Sequence, residues 1–216
     1  MSLFTKLFHY VLLSVSKYNI DESHGLTHAM DILRNANKIY ENESIKYPYV
    51  KNHEKIIYVS SVLHDMCDKK YMKQDDGLKE INNFLSNVKD DHGQNYITNT
   101  ESVVIKDIIS TMSYSTVKKN GFPNLGEYQL AYNIVREADL LSGYDFDRCM
   151  IYQMSQKKCS INEAYDDAVK LFNNRMFKHN EDGLFLTDYT RKNYISYENN
   201  AKLKINHWKR ILNKKL

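Results

Sequence analysis

Two adjacent side chains, His64 and Asp65, carry the strongest chemical signal in this chain of 216 residues. An apolar segment, 58–63, precedes them, so an apolar helix is predicted to end in two metal-ligand types. His28 lies upstream and Asp139 lies downstream. The order His, His-Asp, Asp predicts that three helices bring four ligands to one divalent cation.

The ligand types indicate which ion to expect. Neutral imidazole together with ionised carboxylate suits borderline divalent metals, whereas Mg²⁺ prefers oxygen ligands alone. We therefore expect one divalent transition metal, with Mn favoured and Fe, Co, Ni or Zn as alternatives. Four protein ligands would leave part of an octahedron open to water and substrate, which is typical of a catalytic site rather than a structural one.

Two further polar residues share the spacing of these ligands. Asp68 follows Asp65 by three residues and His64 by four, so a continuing helix would put all three on one face. We expect Asp68 to orient or deprotonate a water molecule beside the metal, and a solvated helix end is the alternative. His24 precedes His28 by four residues, and we predict a phosphate contact or proton donor there, with a polar helix start as the alternative.

The elements that must position these residues are predicted to be helical. Seven Gly and two Pro are few breakers for this length, and helical periodicity dominates the chain. The first segment, 3–18, reads as a core helix, because it lacks the charged start and cleavage site of a signal peptide and is too short to span a bilayer. The predicted helices are 3–18, 25–42, 52–67, 76–88, 98–113, 126–141, 143–156, 160–178 and 188–213.

Composition limits the compartment and the partners. Three Cys argue against a disulfide framework and favour a reducing, cytoplasmic location. A formal charge of +3 gives no strong nucleic-acid signal, and no membrane partner is expected. Basic residues do cluster near the end, where we predict a solvated helix face with a phosphate-attracting patch as the alternative: Lys202, Lys204, Lys209, Arg210, Lys214 and Lys215.

The ordered motifs resemble the HD-domain metal-dependent phosphohydrolase superfamily, over about residues 21–148. The resemblance implies an all-α fold, a compact helical bundle with a central metal site, formed by one domain of residues 1–216 with helices 160–216 packed on the motif region. Within the superfamily, the small bacterial branch that hydrolyses nucleoside triphosphates is the most similar. Its members carry a second Asp and a nearby Lys after the His-Asp pair, which Asp68 and Lys70 match, and Ile108–Tyr114 resembles another of its segments.

The chain also departs from that branch. Asp31-Ile32 stands where the branch usually has Arg-Val, and Leu140-Leu141-Ser142 stands where it usually has Arg-Leu-Asp. A phosphate-binding Arg is therefore expected elsewhere, and Arg136 and Arg148, which flank Asp139, are the candidates. We predict that Lys70 and Arg148 bind substrate phosphates; Lys70 depends mainly on the resemblance, since Lys69 and Lys73 carry the same charge nearby.

These observations predict a metal-dependent hydrolase of a phosphate ester or anhydride, with a small-molecule phosphate substrate, preferably a nucleotide. A phosphodiesterase acting on a cyclic or oligonucleotide messenger is an alternative that the motifs do not separate. A non-catalytic helical binding module with a vestigial metal site is the alternative outside enzymes. The sequence predicts no oligomeric state.

Overall fold

The fold is all-α, as predicted. The computed structural model describes residues 1–214, and this part of the chain contains ten α-helices and no β-strand. The helices are α1 (Leu3–Tyr18), α2 (Leu26–Lys46), α3 (Glu54–Leu63), α4 (Gln74–Asn87), α5 (Asn99–Thr111), α6 (Tyr114–Asn120), α7 (Gln129–Ser142), α8 (Phe146–Lys157), α9 (Ile161–Asn174) and α10 (Asp188–Leu212). None of the helices in residues 1–214 is long and apolar enough to cross a membrane.

Helices α2, α3 and α7 pack against one another at the centre of the larger core. Ile32, Ile57 and Val135, one from each helix, are fully buried there. Helix α1 adds Leu7 and Val11 to the same core, which confirms the prediction of a first core helix. The central trio matters for function because α2, the end of α3 and α7 carry the predicted ligands.

A second core joins α8, α9 and α10. Phe146 and Phe172 are fully buried in it, and their rings meet edge to face. Helix α10 also reaches the first core, where the Tyr197 hydroxyl donates to Asn35 Oδ1 on α2 at 3.1 Å. The C-terminal helices therefore pack on the motif region. The basic cluster is largely a solvated helix face, with Lys202 and Lys204 in ion pairs; Lys215 lies outside the described residues.

Several predictions about the helices are wrong. Helix α3 ends at Leu63 rather than 67. His64 Nδ1 donates to the Ser61 carbonyl oxygen at 2.9 Å, and in a continuing helix this oxygen would accept a backbone N–H instead. His24 lies in a separate 3₁₀ turn, Glu22–His24, before α2 begins. Helix α6 was not predicted, and α9 ends at Asn174 rather than 178 because Arg175 leaves helical geometry.

Candidate metal centre

The predicted ligands meet where α2, the end of α3 and α7 pack together. His28 Nε2 and His64 Nε2 each lie 3.2 Å from Asp65 Oδ2. Each also lies 3.8 Å from Asp139 Oδ1. The donor atoms of His28, His64 and Asp65 are all within 4.8 Å of one another, and Asp139 flanks this trio from α7.

These residues fit a divalent cation. Bonds of about 2.0–2.2 Å at right angles would put neighbouring donor atoms about 3 Å apart, close to the observed spacing of the trio. His64 Nε2 and Asp65 Oδ2 are also buried without a hydrogen-bond partner among the described residues. Buried polar atoms without partners are rare, so two that face each other point to a ligand between them.

The orientation of His64 supports this reading. Its Nδ1 donates to the Ser61 carbonyl oxygen at 2.9 Å, which leaves Nε2 as the nitrogen that faces the carboxylates. Metal-binding histidines are commonly fixed in this way by a hydrogen bond from the other ring nitrogen. The turn that ends α3 therefore also aims the ligand.

The charged groups of the cluster shift one another's pKa values. Although burial opposes it, the carboxylates of Asp65 and Asp139 raise the pKa of His64 to about 9. Burial and the neighbouring Arg148 guanidinium lower the pKa of His28 to about 4, so this imidazole is neutral. The charge of His64 in turn lowers the pKa of both carboxyls, against the effect of burial.

His24 lies beside the cluster but is engaged by other groups. Its Nδ1 is 2.6 Å from Ser23 Oγ and 3.0 Å from the Tyr71 hydroxyl. Both hydroxyls donate to Asp21, so we assign the ring proton to Nδ1. His24 Nε2 then accepts from Lys70 Nζ at 3.1 Å, and His24 orients the lysine rather than offering a free proton.

Asp21 does not hydrogen-bond to His28. It accepts hydrogen bonds from Ser23, Tyr71 and Gln156 instead. Burial would raise the pKa of Asp21, but the hydrogen bonds that its carboxylate accepts from its neighbours hold the pKa well below its usual value.

Asp68 and Lys70 form a pair in the turn that follows α3. Lys70 Nζ is 3.2 Å from Asp68 Oδ2, and Asp68 Oδ1 accepts the Lys70 backbone N–H at 2.9 Å. The expected shared helix face with His64 is wrong, since the helix has ended; the turn brings Asp68 to the site. Burial opposes ionisation of Lys70, but Asp68 and Asp65 raise its pKa, so the ammonium stays charged.

All eight predicted site residues line one cavity of about 520 Å³. This volume is in the usual range of roughly 300–1,000 Å³ for small-molecule sites. Arg148 lies there with its Nη1 3.0 Å from the Ser23 carbonyl oxygen and 2.8 Å from His28 Nε2. The predicted residues on the wall are His24, His28, His64, Asp65, Asp68, Lys70, Asp139 and Arg148.

One candidate for phosphate binding is wrong. Arg136 is 1% exposed and donates to the Leu184 carbonyl and to Glu137, away from the cavity. Arg175, Tyr114 and Tyr152 line the cavity instead and were not predicted. Tyr114 ends the segment Ile108–Tyr114 that resembles the bacterial branch, but no role was assigned to it, and no motif included Arg175 or Tyr152.

Comparison with known proteins adds the fold alone. No family model matches this chain, and no curated protein matches it significantly. A solved structure from Lactobacillus plantarum, determined as a structural genomics target, is similar with a TM-score of 0.67 and 18% sequence identity. The similarity covers 96% of this chain and 95% of that one.

Proposed function

We propose that this protein is a metal-dependent phosphohydrolase of the HD type that cleaves a phosphate ester or anhydride, preferably of a nucleotide. One observation supports this most directly: four potential metal ligands share a cavity with the cations Lys70 and Arg148. Structural metal sites do not need cations aimed at the space beside the ion. A phosphate substrate does need them, because its negative charge must be balanced.

His28, His64, Asp65 and Asp139 would hold the ion, and the imidazole ligands favour Mn over Mg. When bound, such a cation supplies Lewis-acid activation of water and of a phosphoryl oxygen. The buried, unpartnered atoms of His64 and Asp65 support this assignment more than residue types alone do.

The remaining residues accept a proton or bind the substrate phosphates. Asp68 can accept a proton at its carboxylate, which Lys70 already orients through two contacts. Asp68 and His24 hold the Lys70 side chain in one conformation, so little side-chain entropy is lost when its ammonium binds a phosphate. Arg148 is held at its Nη1 by the Ser23 carbonyl and His28, and it offers its remaining N–H donors to a phosphate.

A small diffusible nucleotide fits this proposal better than a polymer. The cavity is of small-molecule size, and the formal charge of +3 gives no extended basic groove. We extend the proposal to a cytoplasmic setting, in which nucleotides are the abundant phosphate compounds and the three cysteines stay reduced.

The test combines metal analysis with a substrate panel. Protein purified without chelator should contain about one transition-metal ion per chain. With Mn, it should release phosphate or pyrophosphate from at least one nucleotide, with the product identified by chromatography. Release from cyclic dinucleotides alone would favour the phosphodiesterase. Metal-loaded, folded protein that hydrolyses none of these compounds would favour the binding module.

A further inference from the structure

Arg175 occupies a place on the cavity wall that the proposed mechanism does not use. It lies between α9 and the following 3₁₀ turn, and its guanidinium carbon is 3.9 Å from the centre of the Tyr114 ring. Within residues 1–214 its Nε is buried without a hydrogen-bond partner. An arginine held by its face on a ring keeps its in-plane N–H donors free for an anion.

A purely structural role does not explain these contacts. Arg136 also has its guanidinium over a ring, 4.8 Å from the centre of Phe122. Its Nε also has no partner among residues 1–214, but its Nη2 donates to the Leu184 carbonyl and to Glu137, and the residue is 1% exposed. Arg175 has the aromatic support without those acceptors, and it faces the cavity.

Arg175 and Lys70 both line the cavity and are influenced by different carboxylates. The charge of Asp139 acts on Arg175, whereas Asp68 and Asp65 act on Lys70. Lys70 has a ring of its own, with Nζ 5.1 Å from the centre of Tyr152 on α8. Lys70 and Arg175 are therefore two cations of the cavity that each lie over a tyrosine ring from a different helix.

We propose that Arg175, supported by Tyr114, binds a second phosphate group and makes the cavity selective for substrates with two or more linked phosphates over phosphate monoesters. This inference rests on the proposed function, since it assumes that a phosphate occupies the space beside the metal ligands. A planar guanidinium suits this role because it can donate two parallel hydrogen bonds to one phosphate.

The test measures binding rather than turnover. Methylenediphosphonate and methylphosphonate are non-hydrolysable probes with two and one phosphonate groups, and calorimetry on Mn-saturated full-length protein gives their affinities. Arg175→Gln should weaken methylenediphosphonate binding by about 10- to 100-fold, the usual effect of losing a hydrogen bond to a charged group. Methylphosphonate binding should change by less than about threefold, and Arg175→Lys should give an intermediate loss.

Lys118 provides a matched control. Its Nζ lies 5.6 Å from the centre of the same Tyr114 ring, but it pairs with Asp182 and does not line the cavity. Lys118→Gln should therefore leave the ratio of the two affinities unchanged. Tyr114→Leu, which removes the ring beneath both cations, should lower that ratio in the same direction as Arg175→Gln.

Several outcomes would overturn the inference. They are equal affinity of the wild type for both probes, an equal loss for both probes in Arg175→Gln, and unchanged affinities in folded Arg175→Gln and Arg175→Lys. The proposed function fails separately. If the affinity ratio depends on Arg175 but the protein hydrolyses nothing, the phosphate site stands and the enzymatic function is wrong. If the protein hydrolyses a nucleotide but the ratio does not depend on Arg175, the enzymatic function stands and the second phosphate site is wrong.

Discussion

At the scale of single residues, the proposed metal site makes His64 and Asp65 the residues whose loss should matter most for binding an ion. His64→Ala and Asp65→Ala should each weaken Mn binding by more than about 100-fold, because loss of a ligand should exceed the 10- to 100-fold effect of losing an outer contact. Elemental analysis and calorimetry measure this. His92→Ala is the control, since His92 is exposed and distant from the cluster. Wild-type affinity in both ligand variants would remove the site assignment.

The raised pKa of His64, about 9, predicts a pH dependence of metal binding. At pH 7 the metal-free imidazole is protonated, and a metal ligand must be neutral, so the ion must displace a proton. Apparent Mn affinity should therefore rise about tenfold per pH unit as pH increases toward 9. Calorimetry in two buffers of different ionisation enthalpy should detect release of about one proton per ion. A flat affinity between pH 6 and 8 would contradict this account.

Asp68 should matter for turnover and little for metal binding. Asp68→Asn keeps the shape of the side chain but removes the proton acceptor, and loss of a positioned base typically costs a factor of about 10² to 10⁴ in rate. The measurement is kcat on the best nucleotide substrate, together with Mn content. Asp90→Asn, in an exposed turn, controls for loss of a carboxylate. Unchanged kcat in Asp68→Asn would make Asp68 a partner of Lys70 alone.

At the scale of elements, α4 fixes the turn that carries Asp68 and Lys70. Gly77 of α4 approaches this turn so closely that an added Cβ would lie 2.7 Å from Cys67 Cα and 2.8 Å from Met72 Sδ. Cys67 Cα belongs to the backbone, so the turn itself must shift to admit a methyl group. The close approach of α4 therefore sets the position of the predicted phosphate-binding lysine.

Gly77→Ala tests this packing. Alanine favours a helix by about 1 kcal/mol over glycine, but overpacking typically costs about 1–3 kcal/mol, so a net loss of stability is expected. Substrate KM should rise as Lys70 moves. Denaturant unfolding and steady-state kinetics measure the two effects, with Ser86→Ala on the exposed face of α4 as the control. A more stable Gly77→Ala protein with wild-type KM would show that the turn can shift to admit the methyl group without moving Lys70.

At the scale of the whole molecule, a buried contact joins α7, which carries the candidate ligand Asp139, to the C-terminal helix α10. The Glu137 carboxylate on α7 accepts from the backbone N–H groups of Leu186 and Thr187 and from the Thr187 hydroxyl, which caps α10. Arg136 lies 3.4 Å from the same carboxylate. Since Asp139 is on α7 too, the start of α10 and the candidate metal centre depend on one helix.

Glu137→Ala should therefore destabilise the protein by about 3–5 kcal/mol, because it leaves the charge of Arg136 buried without its partner. Lys46→Gln is the contrasting variant. It breaks an exposed ion pair with Asp188 that joins α2 to the start of α10, and it should change stability far less, because solvent screens the pair. Thermal and denaturant unfolding distinguish the two variants. Equal effects would mean that the α7–α10 contact contributes no more than a surface pair.

Much of the fold could be predicted from local chemistry. Scarce Gly and Pro and the helical periodicity of apolar residues predict an all-α chain, since both are properties of neighbouring residues. Boundaries were less predictable. The end of α3 depends on the Ser61 carbonyl, for which the His64 side chain competes with the backbone, and that competition is settled by where the imidazole must point.

The sequence by itself predicted the candidate ligand types, their order and eight of the residues that line the cavity, because motif spacing, residue chemistry and the family resemblance can all be read from local segments. Only the tertiary structure decided which groups surround these residues. In it, Arg136 is buried against Glu137, His24 accepts a hydrogen bond from Lys70, and the Arg175 guanidinium lies over the Tyr114 ring. These contacts join residues distant in the chain, so they depend on how α6, α7 and α9 pack, which no local pattern encodes.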